Sequence, residues 1–197
     1  MVAPKTEQAL ATLKSKLGVR LGSGQCYGLT AFYSQLLGGC NLGGGINSPN
    51  PDGNGRQEAG SDTRRGMSAC NIGGDYNWSA KGWQVKFDPS MSDLKAGCIV
   101  NYKPTSGNIW GHTAVITRAD GTSYDILEQN YNYKQYVTER KGITVTSNIA
   151  SIIYTPELVQ GGIIDGNIEA PEPSTPTGNG DIQTKVFDVE AMLIDVD

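Results

Sequence analysis

The chain is poor in the residues that several functional classes require. It carries 1 histidine and 3 phenylalanines in 197 residues. Its apolar runs are too short to span a bilayer, so no membrane insertion is expected. Lys and Arg number 16 against 20 Asp and Glu, for a formal charge of −4 and a pI near 5.0. No stripe of Lys and Arg stands out, which argues against a nucleic-acid surface. Cys40, Cys70 and Cys98 lack close C-x-x-C spacing and one histidine is too few to complete a zinc site. The opening Met1-Val2-Ala3-Pro4-Lys5 leads into a polar stretch without an apolar core. No signal peptide is expected there, which implies synthesis in a cytoplasm without standard export. In that setting Cys40, Cys70 and Cys98 read as reduced and structural, with a Cys40–Cys70 bridge as the open alternative.

Glycine is abundant, at 26 residues. Many turns with little aromatic filling point to a loop-rich α+β domain and not to a helical bundle. Thr6 to Leu17 reads as a helix, with Leu10, Leu13 and Leu17 on one face and Gly18 as its stop. Gly22-Ser23-Gly24 then turns into a second helix from about Gln25 to Leu37, ended by Gly38-Gly39. Asn41 to about Gly82 is mostly turn chemistry, of the kind that shapes clefts, with a short helix expected within Asp62 to Cys70. Strands are expected at Cys98–Tyr102, Thr113–Arg118, Ser123–Asn130, Tyr136–Arg140, Ile143–Thr146 and Ile152–Tyr154, the second and third joined by an Asp120-Gly121 hairpin turn. The architecture is two N-terminal helices on an antiparallel sheet of about five or six strands. Residues 1–160 form the expected domain and 161–180 a Pro/Gly-rich linker. Residues 181–197 make a tail too short for a domain, read as the start of one that lies further on.

Four residues carry candidate chemistry. Cys26, in Gly24-Gln25-Cys26-Tyr27-Gly28, falls at a helix start, where unsatisfied N–H groups favour a thiolate. Gln25 and nearby backbone amides are candidate donors to an oxyanion. His112, the sole histidine, opens a strand after Trp110-Gly111. Glu128 and Asn130 are two apart in a strand, so both are expected on one face, with Gln129 on the other and nearly silent in catalysis. Counting back from the Asp120-Gly121 turn brings His112 and Glu128–Asn130 to the same end of the hairpin. A carboxylate there would accept the Nδ1 proton of His112. A nucleophile, a base and groups that orient the base make up the logic of a cysteine hydrolase. Asn50 to Gly55 has only a faint likeness to a calcium loop, with no Asp at its first position and no Glu at its twelfth. No cofactor is expected, with calcium as the open alternative.

Three segments together resemble the CHAP family of cysteine- and histidine-dependent amidohydrolases/peptidases: Gly24-Gln25-Cys26-Tyr27-Gly28, Trp110-Gly111-His112-Thr113-Ala114-Val115-Ile116, and Leu127-Glu128-Gln129-Asn130-Tyr131. The resemblance covers about Thr6 to Tyr154 and is nearest to phage endolysins of Gram-positive hosts. It implies a papain-like CHAP fold and a peptidoglycan hydrolase, acting as endopeptidase or muramoyl-alanine amidase. Cys26 would be the nucleophile, His112 the base and then acid, Glu128 the group that orients and charges His112, and Asn130 a support. It further implies bacterial peptidoglycan as partner and a wall-binding domain beyond the linker. One departure is Lys95-Ala96-Gly97-Cys98, where the family has aspartate in place of the cysteine. Another is Leu17 to Gln25, which lacks the acidic residues that bind calcium in some relatives. The rival reading from another class is a non-catalytic wall-binding module on the same scaffold.

Overall fold

The computed structural model describes residues 4–42 and 68–161. Two helices come first, α1 (Pro4–Lys14) and α2 (Cys26–Leu36). Leu10 and Leu13 of α1 and Leu29 and Tyr33 of α2 are fully buried, which is the face expected from their spacing. Helix α1 stops one turn earlier than its periodicity predicts. Leu17 is exposed and forms an isolated parallel bridge with Val137, and the Gly18 N–H, at φ +78°, donates to the Val137 carbonyl. Tertiary pairing with a strand thus replaces the last helical turn. The first turn of α1 is tied to the far end of the domain. Glu157, in the short helix α4 (Pro156–Val159), accepts from the Thr6 N–H and hydroxyl at 2.8 and 2.7 Å.

Six strands form one antiparallel sheet in the order β1-β6-β2-β3-β4-β5. They are β1 (Gln84–Phe87), β2 (Ile99–Tyr102), β3 (His112–Ala119), β4 (Tyr124–Gln129), β5 (Val137–Ile143) and β6 (Ile149–Tyr154). The α+β class and the antiparallel sheet stand as expected, with two changes. Strand β1 was not anticipated: it lies at the sheet edge, is mostly exposed, and its polar–apolar alternation runs over only four residues. The separate strand expected at Ile143–Thr146 does not exist, because Ile143 is the last residue of β5.

Strand β4 is buried along its whole length, as is β2. Helix α2 packs over β3 and β4. Apolar contact is supplemented there by a chain of buried polar side chains. The Thr30 and Thr113 hydroxyls lie 2.9 Å apart, Thr113 donates to Asn101 Oδ1 at 2.8 Å, and Asn101 Nδ2 donates to Ser151 Oγ at 3.0 Å. Each buried polar group is thereby satisfied, and the helix that starts at Cys26 is locked to the strand that starts at His112.

Within the stretch expected to be loop, residues 69–71, α3 (Ile72–Asp75) and residues 78–81 form short helical turns that bury Ile72 and Trp78. Residues 43–67, including Asn50–Gly55, lie outside the described residues, as do the linker beyond 161 and the tail. Among the described residues no helix is long and apolar enough to cross a membrane, and none of the four cysteines is in a disulfide.

Candidate active site

Cys26 is the first residue of α2. Gln25 caps the helix in extended conformation (φ −79°, ψ 163°), and no side chain bonds to the amides of the first turn. The Gly28 N–H is taken by the Gln25 carbonyl at 3.0 Å, which leaves the Cys26 and Tyr27 N–H groups and the helix dipole beside the sulfur. The loop before the helix turns through Gly22 and Gly24, both at positive φ. Gly28 lets that loop lie against the helix: a Cβ there would come within 2.5 Å of the Leu21 carbonyl oxygen.

His112 enters from the opposite side. Gly111, at φ +71°, has no room for a side chain, since a Cβ would sit 2.3 Å from the Tyr102 carbonyl oxygen and 2.8 Å from Cys70 Cβ. Asn108 Nδ2 donates to the Gly111 carbonyl, and the Cys70 N–H donates to the Trp110 carbonyl at 3.1 Å. Gly111→Ala is therefore expected to displace His112. Activity should fall at least about tenfold, with a lower melting temperature, because both the backbone angle and the space are refused. A variant that keeps full activity and unchanged stability would contradict this packing.

Register explains the next contact. Ala114 pairs with Glu128 across β3 and β4, so His112 and Glu128 are diagonal neighbours. His112 Nε2 lies 2.9 Å from Glu128 Oε2. The carboxylate thus meets Nε2 and not the expected Nδ1, and the Cys26 side chain is the ring's other hydrogen-bond partner. Tyr102 stacks on the imidazole at 6.0 Å between centroids, and Tyr131 lies at 6.1 Å. Glu128 is 1% exposed.

Burial alone would lower the pKa of His112. Hydrogen bonds and charge from Cys26 and Glu128 outweigh it and raise the value to about 9. As the only histidine, His112 gives the only imidazole NMR signal, expected to titrate near pH 9. A pKa raised on folding adds stability below the unfolded value of about 6.5, lost as pH rises through about 9. The melting temperature should accordingly be higher at pH 6 than at pH 9.5. A midpoint at or below 6.5 would exclude the ion-pair geometry.

Asn130 departs from the expected arrangement. Strand β4 ends at Gln129, and Asn130 adopts the left-handed conformation (φ 63°, ψ 22°). Its Nδ2 donates to Gln25 Oε1 at 2.6 Å, so it holds the residue before the nucleophile and not the imidazole. Gln129, expected to be silent, is fully buried and tied to the same loop. Its Oε1 accepts from the Leu21 N–H at 2.8 Å, and its Nε2 donates to the Leu21 and Gln25 carbonyls at 2.9 and 2.7 Å. Arg140 is the other residue missed. Its Nε donates to Glu128 Oε1 at 3.0 Å and its Nη2 to Oε2 at 2.9 Å, and its guanidinium lies 4.3 Å from the Tyr131 ring centre. No motif marks either residue; each is found only once register and loop packing are known.

Cys26 and His112 face an open cleft of about 420 Å³, with Gln25, Asn130, Tyr27 and Trp110 among its walls. Cys98 lies elsewhere in the core, fully buried, its thiol pushed up to about 12 by burial. Cys26 and Cys70 are partly exposed, whereas Cys40 and Cys98 are buried, and of the four only Cys26 stands at a helix start beside His112. Among the described residues no group of three or more His, Cys, Asp or Glu could hold a metal ion.

The CHAP domain family model matches residues 18–130, more than half of the chain. The chain is also similar to solved structures of endolysins and related proteins. Ly7917 is 30% identical with a TM-score of 0.63 over 77% of this chain and 62% of that one. Ly7917 was also solved with the hydrolysing product of MDP, at 32% identity and a TM-score of 0.61. PlyC, at 22% identity and a TM-score of 0.57 over 76% of this chain and 35% of that one, shares the fold. So does the endolysin LysIME-EF1, at 17% and 0.51 over 79% and 65%. The chain spans less than two thirds of the length of Ly7917. No curated protein matches it.

Proposed function

Because the chain belongs to the CHAP domain family, we propose that it is a peptidoglycan hydrolase that cleaves an amide bond of the bacterial wall through a cysteine thioester. The observation that carries this reading is the line Cys26–His112–Glu128, an imidazole held between a thiol at an uncapped helix start and a buried carboxylate. The product-bound relative, Ly7917 with the hydrolysing product of MDP, supports the substrate class.

In this mechanism the proton of Cys26 resides on His112, whose charge is balanced by Glu128. The thiolate attacks the amide carbonyl carbon. The resulting oxyanion meets the backbone N–H of Cys26 and the side-chain amide of Gln25, whose oxygen is already engaged by Asn130. His112 gives its proton to the departing amine, the C–N bond breaks, and the thioester remains. Neutral His112 then takes a proton from water, hydroxide adds to the thioester, and collapse releases the acid and restores the Cys26 thiolate beside protonated His112. Asn130 acts here on the oxyanion side through Gln25, in place of the imidazole support expected from sequence.

The test is clearance of a Gram-positive wall suspension, followed as turbidity, with and without prior alkylation of the protein by iodoacetamide. Clearance that alkylation abolishes supports the reading. Wall binding with no release of amine or carboxyl groups would instead make the protein a binding module. Mass spectrometry of the released fragments then names the bond, muramoyl–alanine or one within the peptide.

A further inference from the structure

Cleavage by this route requires His112 to give its proton to the leaving amine and to stay neutral until it takes one from water in deacylation. Throughout that interval Glu128 is left without its cationic imidazolium partner. A carboxylate 1% exposed cannot turn to water in compensation, and an unpaired buried charge is costly. Arg140 answers this need by position. Ile126 pairs with Arg140 across β4 and β5, as Ala114 pairs with Glu128 across β3 and β4. His112, Glu128 and Arg140 therefore run diagonally over three adjacent strands. The guanidinium grips both carboxylate oxygens, at 3.0 and 2.9 Å, and shares Oε2 with His112.

We propose that Arg140 is a positioning residue for the reaction: the standing counter-ion of Glu128, which frees His112 to give up its proton. The inference rests on the cysteine-hydrolase reading above. A charge count states it. With Arg140 present, the trio carries +1 when His112 is charged and 0 when it is neutral. Without Arg140 the same two states are 0 and −1, the latter a stranded carboxylate. Losing Arg140 therefore makes His112 hold its proton more tightly. The charged or titratable groups that face His112 are Cys26 from α2, Tyr102 from β2, Glu128 from β4, Arg140 from β5 and Tyr131 from the turn after β4. The two tyrosines flank the ring and Cys26 can be removed by mutation, so Glu128 and Arg140 can be isolated.

The experiment follows the single imidazole NMR signal in a Cys26→Ala background. Adding Arg140→Gln should raise the His112 midpoint by about one pH unit, and in the parent protein it should slow wall clearance about tenfold at pH 7. Arg140→Lys, which keeps a cation without the two-pronged grip, should recover most of the midpoint and part of the rate. Adding Arg140→Gln to Cys26→Ala/Glu128→Gln should raise the midpoint much less, because no carboxylate remains to be stranded. A rise that persists undiminished there would mean direct repulsion between Arg140 and His112, and would overturn the counter-ion role. So would an unchanged midpoint in Arg140→Gln. Should that variant not fold, the unsubstituted protein still decides. The Arg140 Nε–H signal should shift as His112 titrates and stay protected from exchange above the midpoint, whereas its loss there overturns the proposal. If wild type clears walls and resists iodoacetamide, the cysteine-hydrolase reading fails, and it fails separately from these outcomes.

Discussion

Replacing Cys26 with alanine is expected to reduce wall clearance by about a thousandfold or more while leaving the melting temperature within a degree or two. The size of the loss follows from chemistry that has no substitute: without a nucleophile, no thioester forms, and binding and oxyanion contacts alone retain little rate. The small effect on stability follows from position. Cys26 sits partly exposed at a helix start, where alanine is an acceptable residue and leaves no closed cavity. The same substitution has a second readout. The hydrogen bond from Cys26 does most to raise the His112 pKa against the lowering effect of burial. In Cys26→Ala the imidazole midpoint should fall below its value of about 9 in the intact protein. Cys98→Ala should do the reverse on every count. It removes a fully buried group from the core and so costs stability, but whatever remains folded should clear walls at the normal rate. Clearance by Cys26→Ala within tenfold of wild type would remove Cys26 from the chemistry.

The residues that do chemistry in this reading were legible because their flanks are local signals. Glycines, a polar turn and an apolar helical period surround Cys26. Trp110-Gly111 and an alternating strand surround His112. Glu128 could be placed by counting along one hairpin with a strong turn, and the bulge between Ile116 and Arg118 did not spoil the count at the far end. Arg140 could not be reached in this way. Its register on β4 depends on the 130–136 connection, where Asn130, Asn132 and Tyr133 all adopt positive φ without being glycine. No propensity rule anticipates three such residues in four. The edge strand β1 was missed for the opposite reason. Its alternation, Gln84-Val85-Lys86-Phe87, is only four residues long and mostly exposed, and its strand character comes from pairing with β6. Alternation correctly separated Gln129 from Glu128, but it does not say what a face meets. The face expected to be silent is in fact covered by the loop from Leu21 to Gln25.

That correction reverses the expected ranking of two neighbouring substitutions. Glu128→Gln should lower the catalytic rate by about tenfold to a thousandfold, since it keeps the shape and removes the charge that balances His112. Gln129→Ala, in place of being silent, should be at least as damaging, and it should damage stability as well. The Gln129 amide satisfies the N–H and carbonyl of Leu21 and the carbonyl of Gln25, all from a position with 0% exposure. Alanine would strand the Leu21 N–H and leave a hole, while the Leu21 and Gln25 carbonyls would keep the Gly24 and Gly28 N–H donors and lose one of two. A stranded buried group costs about 1–3 kcal/mol and the cavity adds to it, so a net loss of roughly 2–4 kcal/mol is expected. Denaturant unfolding would measure it. The loop so released is the one that ends in Gln25 and Cys26, so activity should fall even under conditions where the variant is fully folded. Gln129→Glu separates hydrogen bonding from volume. It fills the same space and can still accept from the Leu21 N–H, but it turns a carboxylate oxygen toward two carbonyl oxygens in place of an amide N–H. It should therefore be no better than alanine, although it leaves no cavity. If Gln129→Glu matched wild type in both stability and clearance, the clamp on Leu21 and Gln25 would not be what holds the nucleophile loop.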